Sequence, residues 1–432
     1  MANRRGLGPP DVGAHVVILG GGPAGVACAL TLQRAALRQG KHFTVTILEG
    51  KEFVGERHHN QCVGVLSPPL ADLLQADLGL PFPHHLVRTV IDEYVLHAPS
   101  VSLELSERGV ASHAVRRVQF DAFMLEQARE RGVSIVPARA VDLEFHADRV
   151  IVYTEAWPIE GDLVVGAFGM DEGSAAIFQR CTDYRAPQAL ASIVTKYHPG
   201  EQAMEAYGRR IHAFLPRHPR VEFGGVTPKG NHLTINIAGA SVDSALMQEF
   251  LALPEVRAVL PNLEQAGRLD AHDLHCFKGR FPISLARGSF GDRYVMVGDA
   301  AGLVRAFKGK GVTSAVQTGI RAAETVLLAG FSAGAFREHY LRGNQDLVRD
   351  IPYGRAMRLM AIVLARWGLF DVILEAGRRE PKLQEALFEA VSGHGPYRDV
   401  WRNGLAPRSL TAVARAMAGG TRRSHPAPKS AG

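Results

Sequence analysis

Cysteine is scarce. The 432 residues hold four, Cys28, Cys62, Cys181 and Cys276, and no two of them form a C-x-x-C pair. That spacing excludes a disulfide framework and a cysteine zinc site, and it fits a reducing cytoplasm. His272 and His275 have ligand-like spacing on a helix, but no carboxylate and cysteine pattern completes a site, so no metal is assigned. Long apolar runs are missing too. The longest apolar helical stretch, residues 356–374, is interrupted by Arg358, Arg366 and Asp371, which excludes a membrane span. Such a helix can pack on the body or lie on a membrane surface. The apolar run after Arg4 and Arg5 belongs to the first strand, so no signal peptide is expected. There are no internal repeats. Acids disappear from Trp401 onward, where Arg402, Arg408, Arg415, Arg422, Arg423 and Lys429 follow. The formal charge of +6, from 49 basic and 43 acidic residues, is therefore concentrated in the C-terminal tail. Residues 419–432, rich in Gly, Pro, Ser and Arg, read as a disordered basic tail, with peripheral contact to anionic lipid at the inner membrane face as the other reading. No nucleic-acid partner is expected.

Glycine is abundant, and its placement is informative. Val16-Val17-Ile18-Leu19 runs into Gly20-Gly21-Gly22-Pro23-Ala24-Gly25, then a helix-forming stretch to Gln39, then a second β-like run ending on Glu49. This is the strand–G-x-G-x-x-G–helix–strand–acid order of a dinucleotide site. Gly20 permits the turn, Gly22 lets a pyrophosphate approach the backbone, and Gly25 allows close helix–strand packing. Pro23 and Ala24 open the helix whose N-terminus faces the phosphates. Glu49 is placed to accept from a ribose diol. A second glycine-rich turn, Gly298-Asp299-Ala300-Ala301-Gly302, follows the apolar strand 294–297, and Gly311 opens a helix twelve residues after Asp299. Asp299 there suits a ribityl hydroxyl, and the free N–H groups at that helix start suit a flavin ring edge.

The fold class that follows is α/β. A Rossmann-like FAD-binding domain is assembled from separate segments, with an inserted β-rich substrate domain and a helical C-terminal region. The expected FAD-binding segments are 14–85, 116–185 and 286–335. The expected substrate-domain segments are 86–115 and 186–285, followed by helices over 336–418 and the tail 419–432.

The chain resembles the geranylgeranyl reductase family of FAD-dependent oxidoreductases, which share the hydroxylase-type, glutathione-reductase-like fold. Gly20 to Gly25 with Glu49 match its FAD fingerprint. Arg117-x-x-Phe120-Asp121 matches its R-x-x-F-D motif, whose arginine lies near FAD. Gly298 to Gly302, with Gly309, Lys310, Gly311 and Val312, match its second FAD motif at equal length. Cys62-Val63-Gly64 resembles the segment that faces the flavin in these reductases, making Cys62 the candidate catalytic residue, as a proton donor or as packing. Phe223, Gly225, Thr227 and Pro228 sit where the family shapes a lipid cavity. Gly225 and Thr227 replace its two large aromatic residues, and Asn236-Ile237-Ala238 replaces a G-x-G. Phe168 replaces an aspartate that also serves NADPH in related hydroxylases.

What the resemblance implies is reduction of carbon–carbon double bonds in an isoprenoid-like or other apolar small molecule. Only one dinucleotide fingerprint is present, so electrons would come from transiently bound NAD(P)H or from a protein donor such as reduced ferredoxin. Two other functions stay open: a flavin-dependent monooxygenase on the same fold, and a non-catalytic flavin-binding module that contacts a partner. A halogenase is disfavoured because no W-x-W-x-I-P run exists. His58 and His59 lie where they can edge the site. Met357 and Met360, at helical spacing, read as core.

Overall fold

The structure, a computed structural model, describes residues 6–10, 12–39, 43–53, 62–106, 111–262, 275–305 and 311–420. The chain divides into two units. The first comprises Met1–Arg88, Ser112–Leu190 and Gly279–Arg355, and the second Thr89–Ala111, Ala191–Lys278 and Ala356–Gly432. Ser112–Val115 forms a strand on Val65–Leu66, which ties it to the first unit.

The first unit is built on a six-stranded sheet in the order Phe290–Gly291, Tyr294–Met296, Leu163–Gly166, His15–Leu19, Thr44–Leu48, Ser134–Val136. Every neighbour pair is parallel except the first. Val17, Ile18, Ile47, Val164, Val165 and Val295 are fully buried, as expected where helices cover a parallel sheet on both faces. Helix Pro23–Gln39 follows the first strand, and helix Gly311–Ala329 packs against it so closely that a Cβ on Gly319 would stand 2.2 Å from the Ala24 carbonyl oxygen. Ala140–Phe145, Val150–Thr154 and Pro158–Gly161 form a separate antiparallel sheet.

Most strands of a seven-stranded sheet belong to the second unit; their order is Phe277–Pro282, Ala189–Tyr197, His232–Gly239, Phe223–Lys229, Arg210–Phe214, Glu93–His97, Ser102–Ser106. Helix Ser244–Leu251 starts at Asp243, whose carboxylate accepts from the Leu246 N–H at 2.7 Å. It sets Leu246, Met247 and Phe250 against Phe214, Val226, Ile235 and Ile237. Helices Phe370–Gly377 and Pro381–Ser392 pack on the far end of the sheet, where the Phe388 ring meets the Tyr94 ring edge-on at 5.7 Å. This architecture bears out the α/β class with a Rossmann-like sheet, a β-rich second unit and a helical C-terminus.

Three expectations need correction. Residues 356–374 are two helices rather than one: Gln345–Arg366 ends, Gly368 takes φ +66°, and Phe370–Gly377 begins. A left-handed glycine turns the chain where one continuous helix was expected. Met357 is buried but Met360 is 40% exposed, because three residues of helix carry it to the outer edge of the buried face. Helix also persists past 418, through Pro407–Gly420.

The second unit encloses a histidine pair that the sequence did not announce. His97 and His212 stand on neighbouring parallel strands, their rings 5.0 Å apart, with Nε2 of one and Nδ1 of the other at 2.7 Å. Burial lowers His97 to about 4, and burial, His97 and Arg210 together lower His212 to about 3. Unfolding restores ordinary imidazoles, which bind protons below about pH 6.5 when the folded pair does not. Stability should therefore be complete above pH 6.5 and fall as the pH drops towards 4. We expect a loss of about 1–3 kcal/mol between pH 7 and pH 5 in urea unfolding, flattened in the His97→Gln/His212→Gln variant. Parallel profiles for the two proteins would rule the pair out as the cause.

Candidate functional site

The glycine loop meets three different steric demands. Gly20 has φ +115°, and a Cβ there would lie 2.5 Å from the Ala167 carbonyl oxygen. Gly25 carries helix Pro23–Gln39 onto the loop, where a Cβ would stand 2.1 Å from the Gly20 oxygen. Gly22 is the exception, because a Cβ on it would meet no atom within 4 Å. Among the described residues nothing requires glycine at that position, and the backbone there is open to an approaching group. The helix begins with Pro23 at its first position and has no acid in its first turn, so its free N–H groups are left to an external anion. Glu49 closes the far side. Its carboxylate accepts from the Gly21 N–H at 2.9 Å and from the Lys51 N–H at 2.8 Å, at the end of the second strand.

The second turn comes from the other end of the unit. Gly298 and Gly302 take φ +62° and +69°, and a Cβ on Gly302 would lie 2.1 Å from the Ser284 oxygen. Two buried side chains that sequence reasoning missed fix this turn. The Gly298 N–H donates to Thr318 Oγ1 at 2.9 Å, and the Tyr184 hydroxyl donates to the Ala300 carbonyl at 2.8 Å. Asp299 lies between these anchors. A Cβ on Gly311 would stand 3.0 Å from Asp299 Oδ1, so the carboxylate sits at the start of helix Gly311–Ala329. Burial raises the Asp299 pKa, and the Arg117 charge pulls it the other way. Val312 packs against the core at the same helix start. Gly309 and Lys310, with Lys308, lie outside the described residues, as do Arg57, His58, His59, Asn60 and His272.

Arg117 links these pieces. It opens helix Arg117–Glu130, and its guanidinium donates to both carboxylate oxygens of Asp121, one turn on, at 2.9 and 3.2 Å. Asp121 is 1% exposed. Burial alone would lower the Arg117 pKa, but the Asp121 carboxylate and, after it, Cys62 together outweigh burial and raise it. Arg117 Nη1 also lies 3.7 Å from Cys62 Sγ. The segment after Cys62 reaches helix Gly311–Ala329, where Thr313 Oγ1 donates to the Ser67 carbonyl at 3.2 Å. The first unit thus gathers Gly20 to Gly25, Glu49, Cys62, Arg117, Gly298 to Gly302, Gly311 and Val312 around one region.

These residues fit FAD. An open backbone stretch at Gly22 before a helix N-terminus suits its pyrophosphate, Glu49 suits its ribose, and buried Asp299 suits its ribityl chain. Among the described residues, no cluster of three or more His, Cys, Asp or Glu could hold a metal ion. Phe168, where hydroxylases keep an acid, packs into an aromatic cluster, its ring 5.6 Å from Phe178 and 6.1 Å from Tyr184.

The residues matched to the lipid cavity lie in the second unit, in strand Phe223–Lys229, which is buried throughout. They do not share one face. Phe223, Gly225 and Thr227 point one way, and Pro228 points the other with Val226, because strand side chains alternate. Gly225 is in register with Asn236, and a Cβ on Gly225 would stand 2.9 Å from Asn236 Oδ1. Two of the departures from the family pattern, Gly225 and Asn236, therefore meet, with a polar amide lying over the glycine.

No family model matches the chain. It is 24% identical over 339 residues to chloroplastic geranylgeranyl diphosphate reductase of Nicotiana tabacum, a match that takes in 72% of this chain and 66% of that protein. The chain thus spans a little under two thirds of the length of the curated relative it matches. Among solved structures it is similar to a flavoprotein/dehydrogenase from Cytophaga hutchinsonii, with TM-score 0.66 and 16% identity over 94% of this chain and 100% of that one. It is also similar to a geranylgeranyl bacteriochlorophyll reductase-like protein from Thermoplasma acidophilum, with TM-score 0.63 and 14% identity over 96% and 98%. A flavin-dependent brominase gives TM-score 0.62 and 15% identity over 94% and 99%. The fold is that of these flavoproteins, in agreement with the resemblance carried by the motifs. Among the described residues no helix is long and apolar enough to cross a membrane.

Proposed function

We propose that this relative of geranylgeranyl diphosphate reductase is an FAD-dependent oxidoreductase that reduces carbon–carbon double bonds in an isoprenoid-like or other apolar substrate. The observation that carries the FAD part is Gly22, open on its free side while Gly20 and Gly25 are sterically forced to be glycine. The tobacco relative supports the alkene part. When bound, FAD supplies the hydride that its reduced form carries. The protein's part is placement and charge. Gly20 to Gly25 and the N-terminus of helix Pro23–Gln39 hold the pyrophosphate, Glu49 the ribose, and Asp299 the ribityl chain. The N-terminus of helix Gly311–Ala329 offers N–H groups and a positive dipole end to the ring edge where negative charge gathers. Cys62, 3.7 Å from the Arg117 guanidinium, holds a proton on Sγ for the second alkene carbon. Electrons reach the site from NAD(P)H or from a protein donor such as reduced ferredoxin.

The test is anaerobic. The flavoprotein is reduced with dithionite and given geranylgeranyl diphosphate, while flavin absorbance and product mass are followed together. Reoxidation with two hydrogens gained per turnover supports the reading. A flavin that stays reduced until oxygen enters points instead to a monooxygenase. Cys62→Ala is expected to slow reoxidation of the reduced flavin by substrate by about 100-fold, the usual scale for a lost general acid. Full turnover in that variant would remove Cys62 from the chemistry and leave it as packing against Arg117.

A further inference from the structure

Helix Gln345–Arg366 buries one face and leaves the other bare. Ile351, Met357 and Ala361 are buried, whereas Leu359 is 62% exposed, Met360 40%, Val363 53%, and Trp367, just past the last turn, 73%. At a helical pitch these four side chains fall on one stripe about 100° wide. Scattered exposed leucines need no explanation, but four large apolar side chains in one row do. The charge around the row has one sign. Arg355 and Arg366 are exposed at its edge, and no acid occurs from Arg355 to Trp367. Arg358, on the inward side, is bound to Glu222. The chain from Trp401 onward adds six cations and no acid.

We infer that this stripe docks the protein on a bilayer bearing anionic headgroups. Leu359, Met360 and Val363 enter the headgroup boundary, and Trp367 sits at its level, where an amphipathic ring is most at home. Arg355 and Arg366 meet lipid phosphates, which accounts for the absence of acids along the row. This goes beyond the proposed reaction and does not depend on it, although a docked enzyme could take an apolar substrate directly from the bilayer.

Flotation of the full-length protein with extruded vesicles tests the inference. It should float with phosphatidylglycerol–phosphatidylcholine vesicles, fail to float with phosphatidylcholine alone, and lose most binding in about 0.5 M salt. Leu359→Glu/Val363→Glu should cut the bound fraction at least about tenfold at unchanged Tm, since both positions face water. Tryptophan emission should shift to the blue on binding, and Trp367→Phe should remove the shift. Three results would overturn the inference. One is equal flotation of wild type and the double variant. Another is binding lost only when residues 421–432 are removed, which would assign it to the tail. The third is no flotation with a dimer that the double variant dissociates, which would assign the stripe to a second copy of the chain.

Discussion

Gly22→Ala is expected to fold like the wild type and to emerge from purification nearly free of flavin, whereas Gly25→Ala should lose flavin and stability together. The two glycines lie three residues apart in one fingerprint, yet their surroundings differ completely. A methyl group on Gly25 would press on the Gly20 carbonyl oxygen at 2.1 Å, with Ala167 Cβ and Ile18 Cγ2 both at 3.1 Å. The oxygen is backbone and cannot rotate away, so the helix must lift from the strand. Overpacking of this kind costs about 1–3 kcal/mol, or about 2–12 °C in Tm for a unit of this size. A methyl group on Gly22 meets nothing within 4 Å. The apoprotein should therefore melt within about 2 °C of wild type. The same methyl occupies the space that a pyrophosphate needs, and FAD affinity should fall at least about 100-fold, near 3 kcal/mol. The ratio of flavin to protein absorbance after purification, with thermal melts of the apoproteins, separates the cases. Full flavin content in Gly22→Ala would mean that the phosphates lie elsewhere.

The second large effect belongs to Asp121. Its carboxylate takes Arg117 Nη2 at 2.9 and 3.2 Å and Arg117 Nε at 3.2 Å, in a pair where the carboxylate is 1% exposed. Asp121→Ala leaves a guanidinium in the interior facing Cys62 without its counter-charge. Stranding one partner of a buried pair costs about 3–5 kcal/mol, far more than the pair contributes relative to an apolar replacement. Asp121→Asn keeps an acceptor oxygen and removes the charge, so it should fall between wild type and Asp121→Ala. Urea unfolding of the three proteins gives the order directly. A loss below about 1 kcal/mol for Asp121→Ala would show that water already reaches the arginine.

Much of the first unit was legible in the sequence because its constraints are local. A strand, a glycine turn, a helix and an acid follow one another without interruption, and each step has its own residue signature. Helix Gly311–Ala329 was readable for the same reason: its apolar period is clear and Gly311 marks its start. Asp121 stood in a recognised motif, but only its position four residues after Arg117 on a helix reveals it as the arginine's partner. Thr318 and Tyr184 could not have been found. Each reaches a backbone group brought near by folding, 20 residues away for Thr318 and 116 for Tyr184, and a lone hydroxyl carries no sequence signal for that. The pairing of Gly225 with Asn236 was hidden likewise. Each residue looked like a separate departure from a pattern until strand register placed one opposite the other. The histidine pair spans 115 residues and depends on two parallel strands, whose pairing no local pattern encodes.

The discontinuity of the first unit also governs when its site can form. His15–Leu19 needs Leu163–Gly166 as a neighbour, that strand needs Tyr294–Met296, and the glycine-rich helix start needs Gly319 seated on Ala24. About 300 residues separate Leu19 from Gly319. At roughly 5–20 residues per second, a ribosome takes roughly 15–60 s to supply the last of these after making the first. During that interval the opening strand and its apolar helix have no complete sheet to join, and the second unit's inserted strands emerge before the first unit can close. A nascent chain of this protein is thus committed to a long exposure of its opening strand and helix, and flavin can be captured only once residue 319 has been made.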